Sequence, residues 1–401
     1  MRGRRVVVTG LGIVSPVGST VDEAWAGIVA GKSGIAGITR FDASDYPCRI
    51  AGEVAPYQDH PRFGVKEARR ADLFVRYSLA AVWQALGDAG LAAGDGFDPQ
   101  RAGVSIGTGI GGLPHIEAQH DVLIKSGPKR VSPFFVPGAI INMASGWASM
   151  LHDLRGPNLA FATACTTGTH CIGAAARHIA YGDAEMMVAG GSEAAISPLS
   201  LAGFASARAL SLRNDDPTKA SRPFDANRDG FVLGEGSGIM VLEELEHAKG
   251  RGASIYCELA GYGMSGDAHH ITAPPDDGDG ACRAMSAALA DAALAPDDID
   301  HVNSHGTSTP LGDVAETRAI RRLFAEHADS LLVSATKSMT GHLLGGAGGI
   351  EALFAALAIA KGKVPPTINL EQPGDGCDLN YVAGNEAITC EVKAAISNSF
   401  G

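Results

Sequence analysis

Four short segments of this 401-residue chain occur twice and in the same order, which constrains the fold to two copies of one unit. V-T-G-L-G-I (Val8 to Ile13) is echoed by L-A-G-Y-G-M (Leu259 to Met264), each after a run of strand length. A-L-G-D-A-G-L (Ala85 to Leu91) returns as A-L-A-D-A-A-L (Ala288 to Leu294), both closing alanine-rich helical stretches. S-I-G-T-G (Ser105 to Gly109) returns as S-H-G-T-S (Ser304 to Ser308), and A-T-A-C-T-T-G (Ala162 to Gly168) as A-T-K-S-M-T-G (Ala335 to Gly341). The separation between copies shrinks along the series, so the first copy carries insertions that the second lacks. Short apolar strands alternating with alanine-rich helices predict helix-covered sheets, and two such units predict a layered α/β/α/β/α sandwich. The halves divide at the H-A-K-G-R-G turn, giving residues 1–250 and 251–401.

The last repeat carries chemistry. Cys165 directly precedes the helical pattern of Gly168 to Ala180, so its thiol is expected at a helix N-terminus, where unsatisfied N–H groups and the positive dipole end lower a cysteine pKa. The repeat makes Ser338 its counterpart. His305, between the strand-like D-I-D-H-V-N-S and the turn G-T-S-T-P, projects at a strand end, where α/β sheets bind ligands. His342 follows Gly341 at the start of a glycine- and alanine-rich helix. A two-fold relation between the halves would bring both imidazoles to the thiol, the minimum equipment for making and breaking thioesters. Lys337 and Glu316 are expected to pair beside them, holding the lysine charged and steadying the neighbouring histidine.

Other functions are disfavoured. With 32 basic against 44 acidic residues, the net charge of -12 repels a nucleic-acid backbone. The start, Met1 to Arg5 before V-V-V-T-G-L-G-I-V, imitates a secretory signal, but Gly10, Gly12 and Pro16 interrupt it and a buried first strand is predicted. No uninterrupted apolar run approaches the ~20 residues of a membrane helix. Seven scattered cysteines without C-x-x-C spacing predict reduced thiols in a cytosolic setting and no zinc site. G-T-G-I-G-G (Gly107 to Gly112) departs from the dinucleotide pattern, and G-G-A-G-G (Gly345 to Gly349) lacks the phosphate-loop lysine and serine; both read as close backbone packing.

Over nearly its whole length the chain resembles the β-ketoacyl-acyl carrier protein synthases, most of all the type II elongation enzymes of bacterial fatty acid synthesis. The resemblance runs from V-V-V-T-G-L-G-I-V-S-P-V-G through S-P-F-F-V-P, A-T-A-C-T-T-G, S-R-P-F-D-A-N-R-D-G-F-V-L-G-E-G, V-N-S-H-G-T-S-T-P-L-G-D, K-S-M-T-G-H-L-L-G and V-P-P-T-I-N-L to S-N-S-F-G. It implies the thiolase-like five-layered α/β/α/β/α sandwich of two duplicated halves, a homodimer, a cytoplasmic bacterial setting and no role at a membrane. It further implies that Cys165 accepts an acyl chain from its carrier protein, with its own N–H and that of Phe400 as oxyanion hole. His305 and His342 would then stabilise the enolate formed when malonyl-carrier protein loses carbon dioxide. No cofactor is required; phosphopantetheine arrives on the acyl carrier protein.

The same resemblance assigns Lys337 and Glu316 to support of the site, and Thr307 and Thr309 to the phosphopantetheine amides. Ile110, Phe204 and Phe135, the last from the partner subunit, line the acyl tunnel, with Phe400 as its gate. Lys66, Arg69, Arg70, Lys129, Arg130 and Arg208 match positions that dock the acidic carrier. Asn303, Glu351, Ser397 and Asn398 match a structural monovalent or divalent ion site of some members. Three departures stand out: the family continues beyond Gly401 through a glycine-rich turn and a final strand, Thr167 replaces a commoner serine, and Cys171 adds a thiol on the same helix. A polyketide ketosynthase shares the trio. A chain-length factor lacks the cysteine, and a thiolase uses a second catalytic cysteine.

Overall fold

The computed structural model describes residues 3–92 and 94–401; Met1 and Arg2, the first residues of the signal-like start, lie outside them. The strand Val6–Val14 is buried along its whole length. It lies in a six-stranded sheet whose order is Asn158–Leu159, Ala102–Gly107, Met186–Glu193, Gly236–Glu244, Val6–Val14, Cys257–Glu258. The strand Met186–Glu193 is also buried throughout, as expected of a sheet covered on both faces. A second sheet is three-stranded and parallel, in the order Leu332–Ser334, His301–Asn303, Ala395–Ser397.

Helices fill three layers around these sheets. Leu73–Asp88 and Met143–His152 pack on the outer face of the first sheet. Thr167–Tyr181 and Ala347–Lys361 lie between the sheets, and Asp279–Ala292 and Pro310–Phe324 cover the second from outside. The predicted five-layered sandwich is the observed one. Segment Leu344–Lys361 is apolar and long enough to cross a membrane by composition, but 78% of it is buried as the central core helix.

The duplication is visible atom by atom. A Cβ on Gly10 would meet Ala85 O at 2.2 Å and one on Gly12 would meet Ala81 O at 1.9 Å; Gly261 and Gly263 stand against Ala288 O and Ala284 O at 2.3 and 2.1 Å. Glycine faces alanine at both places because the chain there runs in backbone contact with a helix. Leu11 N–H donates to Asp88 at 2.9 Å, and its counterpart Tyr262 N–H donates to Asp291 at 3.0 Å. The third repeat holds too, since Ser105 lies in the strand Ala102–Gly107 and Ser304 directly follows its counterpart His301–Asn303.

The fourth repeat does not. Cys165 lies in the turn Ala164–Thr166 before the 15-residue helix Thr167–Tyr181, and the structural counterpart is the turn Leu344–Gly346 before the 15-residue helix Ala347–Lys361. Ala164 and Leu344 open the two turns with φ 51° and 47°, and Gly182 and Gly362 close both helices in left-handed conformation. Gly345, not Ser338, is therefore equivalent to Cys165. The second half interposes the short helix Lys337–Thr340 ahead of this turn, and small residues there mimic A-T-A-C-T-T-G. Among the described residues no strand of the second half corresponds to Gly236–Glu244. Leu259 to Met264 are not a strand.

Candidate active site

The two central helices start side by side. A Cβ on Gly168 would lie 2.6 Å from Gly349 N, so glycines on both helices permit their N-termini to cross in contact. Cys165 is delivered by one N-terminal turn. His342 precedes the other, held not by a helix but by sheet-like bonding: its N–H donates to Val232 O at 2.7 Å and it bridges Leu233. His342 Nε2 comes to rest 2.9 Å from Cys165 Sγ.

His305 follows the strand His301–Asn303, as expected, and its ring stands perpendicular to that of His342 at 5.3 Å. The Glu316 carboxylate anchors its backbone, accepting from His305 N–H and Gly306 N–H at 2.8 Å each and from Asn398 Nδ2 at 3.1 Å. Glu316 does not pair with Lys337, contrary to expectation. The buried ammonium of Lys337 instead pairs with Glu351, donates to His305 O at 2.6 Å and lies 3.4 Å from His305 Nδ1. Glu316 is spent on backbone donors, whereas Glu351, on the central helix, faces Lys337.

Both histidines are buried, which together with the Lys337 charge pushes their pKa values well below 6.5, so each is a neutral imidazole. Burial also pushes the Cys165 thiol up to about 12, overcoming the opposite pull of Lys337. The thiolate expected from helix position alone is thus not the resting form. One proton occupies the 2.9 Å contact between the neutral thiol and the neutral imidazole. The two imidazoles differ in freedom: Lys337 donates toward His305 Nδ1, directing that ring's proton to Nε2, while His342 Nδ1 is buried without a partner and its tautomer is not locked.

The other expected residues are placed as follows. Phe400 packs its ring on His305 at 5.3 Å, and Gly401 abuts the nucleophile, since a Cβ there would come 3.1 Å from Cys165 N. Thr307 and Thr309 bring their hydroxyls within 3.0 Å of each other. Ile110 is 38% exposed in the turn after Ala102–Gly107. Phe204 stands edge-on to Phe231 at 5.4 Å, and Phe231 stands edge-on to His342 at 5.4 Å. Phe135 is stacked on His115. Lys66, Arg69, Lys129, Arg130 and Arg208 are exposed. Arg70 is half-buried and lays its guanidinium 4.2 Å over the Phe134 ring. That contact joins the Lys66–Arg69 segment to the Lys129–Arg130 segment.

Two groups of atoms could hold metal. Cys165, His305 and His342 present ligand atoms within 4.8 Å of one another, but the Lys337 charge beside His305 Nδ1 opposes the tautomer and the positive charge that ligation needs. Asn303 Oδ1, Glu351 Oε2 and Ser397 Oγ are buried oxygens lacking any hydrogen-bond partner, an oxygen-only set that suits an alkali or alkaline-earth ion. Asn398 commits its amide nitrogen to Glu316 and Glu351 shares its carboxylate with Lys337, so the expected ion set is partly used by the protein itself. Sequence reasoning missed Phe231 as the brace of His342, although F-V-L-G-E-G lay within a recognised motif. It also missed Glu193, which no sequence signal marks.

Comparison with known proteins places these features in context. Residues 3–248 match the beta-ketoacyl synthase N-terminal domain and residues 256–371 the beta-ketoacyl synthase C-terminal domain. The chain is 54% identical to 3-oxoacyl-[acyl-carrier-protein] synthase 2 of Coxiella burnetii over 100% of its length and 96% of the relative's. It is 49% identical to the protein of that name from Staphylococcus aureus, with the same coverage. Among solved structures, a ketosynthase in complex with its type II polyketide acyl-carrier protein and bound to the hexaketide is 35% identical at TM-score 0.92, covering 100% of this chain and 97% of that one. A beta-ketoacyl synthase from Burkholderia phymatum is likewise 35% identical at TM-score 0.92, covering 99% and 96%.

Proposed function

The chain belongs to the β-ketoacyl synthase family, and from that premise we propose how its residues divide the work. It is an acyltransferase that condenses malonyl-acyl carrier protein with an enzyme-bound acyl thioester, releasing 3-oxoacyl-acyl carrier protein two carbons longer. In the first half-reaction the Cys165 sulfur attacks the acyl carbonyl, its proton passes to His342 Nε2, and that proton leaves with the phosphopantetheine thiol. The Cys165 N–H and the backbone at Phe400 receive the oxyanion. In the second, malonyl thioester loses carbon dioxide, and His305 and His342 donate N–H to the enolate oxygen. The carbanion attacks the acyl carbonyl, the carbon–sulfur bond breaks, and the departing Cys165 thiolate takes up a proton from solvent.

The observation that carries this reading is the neutral pair of imidazoles, one 2.9 Å from the thiol. Burial keeps them uncharged, so each offers an N–H without titrating. Such a donor stabilises a developing oxyanion by about 3–4 kcal/mol. Lys337 holds His305 in the donating tautomer, and the free Nδ1 of His342 allows it to accept a proton in one half-reaction and donate in the other.

Thr307 and Thr309 are assigned to the phosphopantetheine arm, Ile110, Phe204 and the partner's copy of residue 135 to the acyl tunnel, with Phe400 at its gate. The exposed Lys66, Arg69, Lys129, Arg130 and Arg208 receive the acidic carrier. A homodimer is supported by the edge strand Asn158–Leu159 and by apolar side chains exposed nearby, Val136 at 56%, Ile140 at 42% and Met150 at 63%. Asn303, Glu351 and Ser397 would hold a structural cation through their unpartnered buried oxygens. The halves are assigned to residues 1–250 and 251–401, and the enzyme to the bacterial cytoplasm. Intact-mass analysis after mixing with long-chain acyl-carrier protein should find one acyl adduct, on Cys165 and absent from Cys165→Ala; an adduct that persists in that variant would rule out the assignment.

A further inference from the structure

Glu193 takes no part in the steps above, yet its side chain is fully buried at the end of Met186–Glu193 and accepts four hydrogen bonds from two sides. From the turn after Ala102–Gly107 come Thr108 Oγ1 at 2.7 Å, Gly109 N–H at 2.7 Å and Ile110 N–H at 3.3 Å. From the turn Leu344–Gly346 comes Gly345 N–H at 2.9 Å. The two turns touch: a Cβ on Gly109 would lie 3.4 Å from Gly345 N and 3.5 Å from Ala164 O. The loop 108–110 is therefore wedged between the turn that carries Cys165 and its counterpart in the second half. Gly345 holds the place there that Cys165 holds in the first half, and the Glu193 carboxylate supplies a built-in anion to the start of the Ala347–Lys361 helix.

We infer that Glu193 is a positioning residue that couples the acyl pocket to the decarboxylation site, tying Ile110 on one side to the turn that follows His342 on the other. The inference rests on the function proposed above, in which Ile110 lines the acyl tunnel. A lengthening chain must press on Ile110. Its N–H cannot leave without taking a donor from the fully buried Glu193 carboxylate, so displacement is passed through that carboxylate to Gly345, three residues from His342.

The test uses the full-length enzyme, reading Cys165 acylation by intact mass with acetyl-, octanoyl- and hexadecanoyl-carrier protein, and malonyl decarboxylation separately. In Glu193→Gln an NH₂ group replaces one acceptor: in the place of Oε1 it breaks the Ile110 bond, and in the place of Oε2 it breaks the Gly109 and Gly345 bonds. Acylation by the long chain is expected to fall about tenfold or more while acetyl transfer changes little, and decarboxylation is expected to fall about tenfold although Glu193 touches neither substrate. Thr108→Val removes the bond to Glu193 and the one accepted from Gly111 N–H, both on the Ile110 side, and leaves Gly345 attached; coupling requires that it too lowers decarboxylation. Loss of chain-length discrimination without loss of decarboxylation in Thr108→Val overturns the inference, as does a uniform loss across chain lengths with a lowered unfolding temperature. If the wild-type enzyme is not acylated at Cys165 at all, the proposed function fails instead.

Discussion

The crossing of the two central helices yields a sharp test, Gly168→Ala. The added Cβ would sit 2.6 Å from Gly349 N, 3.1 Å from Gly345 O and 3.2 Å from Gly348 C, all backbone atoms of the facing helix and its leading turn that cannot rotate away. Restoring ordinary contact requires the helices to part by roughly 0.8–1 Å. Cys165 and His342 are carried on opposite sides of that crossing, so the same movement stretches their 2.9 Å contact past hydrogen-bond reach. Over-packing of this kind costs about 1–3 kcal/mol, but a misplacement near 1 Å costs about 100-fold in rate. The expected signature is a modest loss of stability in urea with Cys165 acylation slowed about 100-fold by intact-mass kinetics. Gly87→Ala is the matched control: it lies in the helix Leu73–Asp88 with nothing within 4 Å of its Cβ, and should add about 0.5–1 kcal/mol with unchanged kinetics. Wild-type acylation in Gly168→Ala would refute the claim that glycine contact sets the thiol–imidazole distance.

Other perturbations separate charge from chemistry. Lys337→Met strands the buried Glu351 and should cost about 3–5 kcal/mol; adding Glu351→Met should restore most of that by thermal unfolding but not malonyl decarboxylation, and recovered decarboxylation would contradict the role given to Lys337 beside His305. Lys66→Glu with Arg69→Glu should raise the carrier-protein KM steeply at low salt, and unchanged kinetics would remove both from the docking surface. Burial pushes Glu243 up, but Arg251, His247 and Thr9 outweigh it and hold its carboxyl near about 2, below its usual 4.5. Its stabilisation, about 3 kcal/mol, is therefore present above pH 4.5 and lost as pH falls toward 2. Urea unfolding of Glu243→Gln should show a deficit at pH 7 that narrows in acid, and a pH-independent deficit would exclude this linkage.

How far such features could be read in advance depended on the range of the interaction. Gly10 and Gly12 opposite Ala85 and Ala81, repeated in Gly261 and Gly263, expressed close strand–helix contact in local composition, so three repeats aligned correctly. The fourth matched Ser338 to Cys165 because alanine, threonine and glycine recur wherever backbones crowd, while the inserted helix Lys337–Thr340 left no compositional mark. Lys337 was correctly placed near a carboxylate, but the choice between Glu316 and Glu351 depended on which helix faces it across the interior.

The amino-acid sequence by itself determined the duplicated α/β architecture and the identity of the thiol and two imidazoles, since these follow from residue type, period and order, while the resemblance of its motifs implied the reaction class. Only the tertiary structure decided that the thiol rests protonated, that both histidines are neutral, and that Glu351 and Glu193 brace the site. Ionisation and pairing are set by how completely folding excludes water and which groups then face each other. Neither quantity belongs to any single stretch of chain.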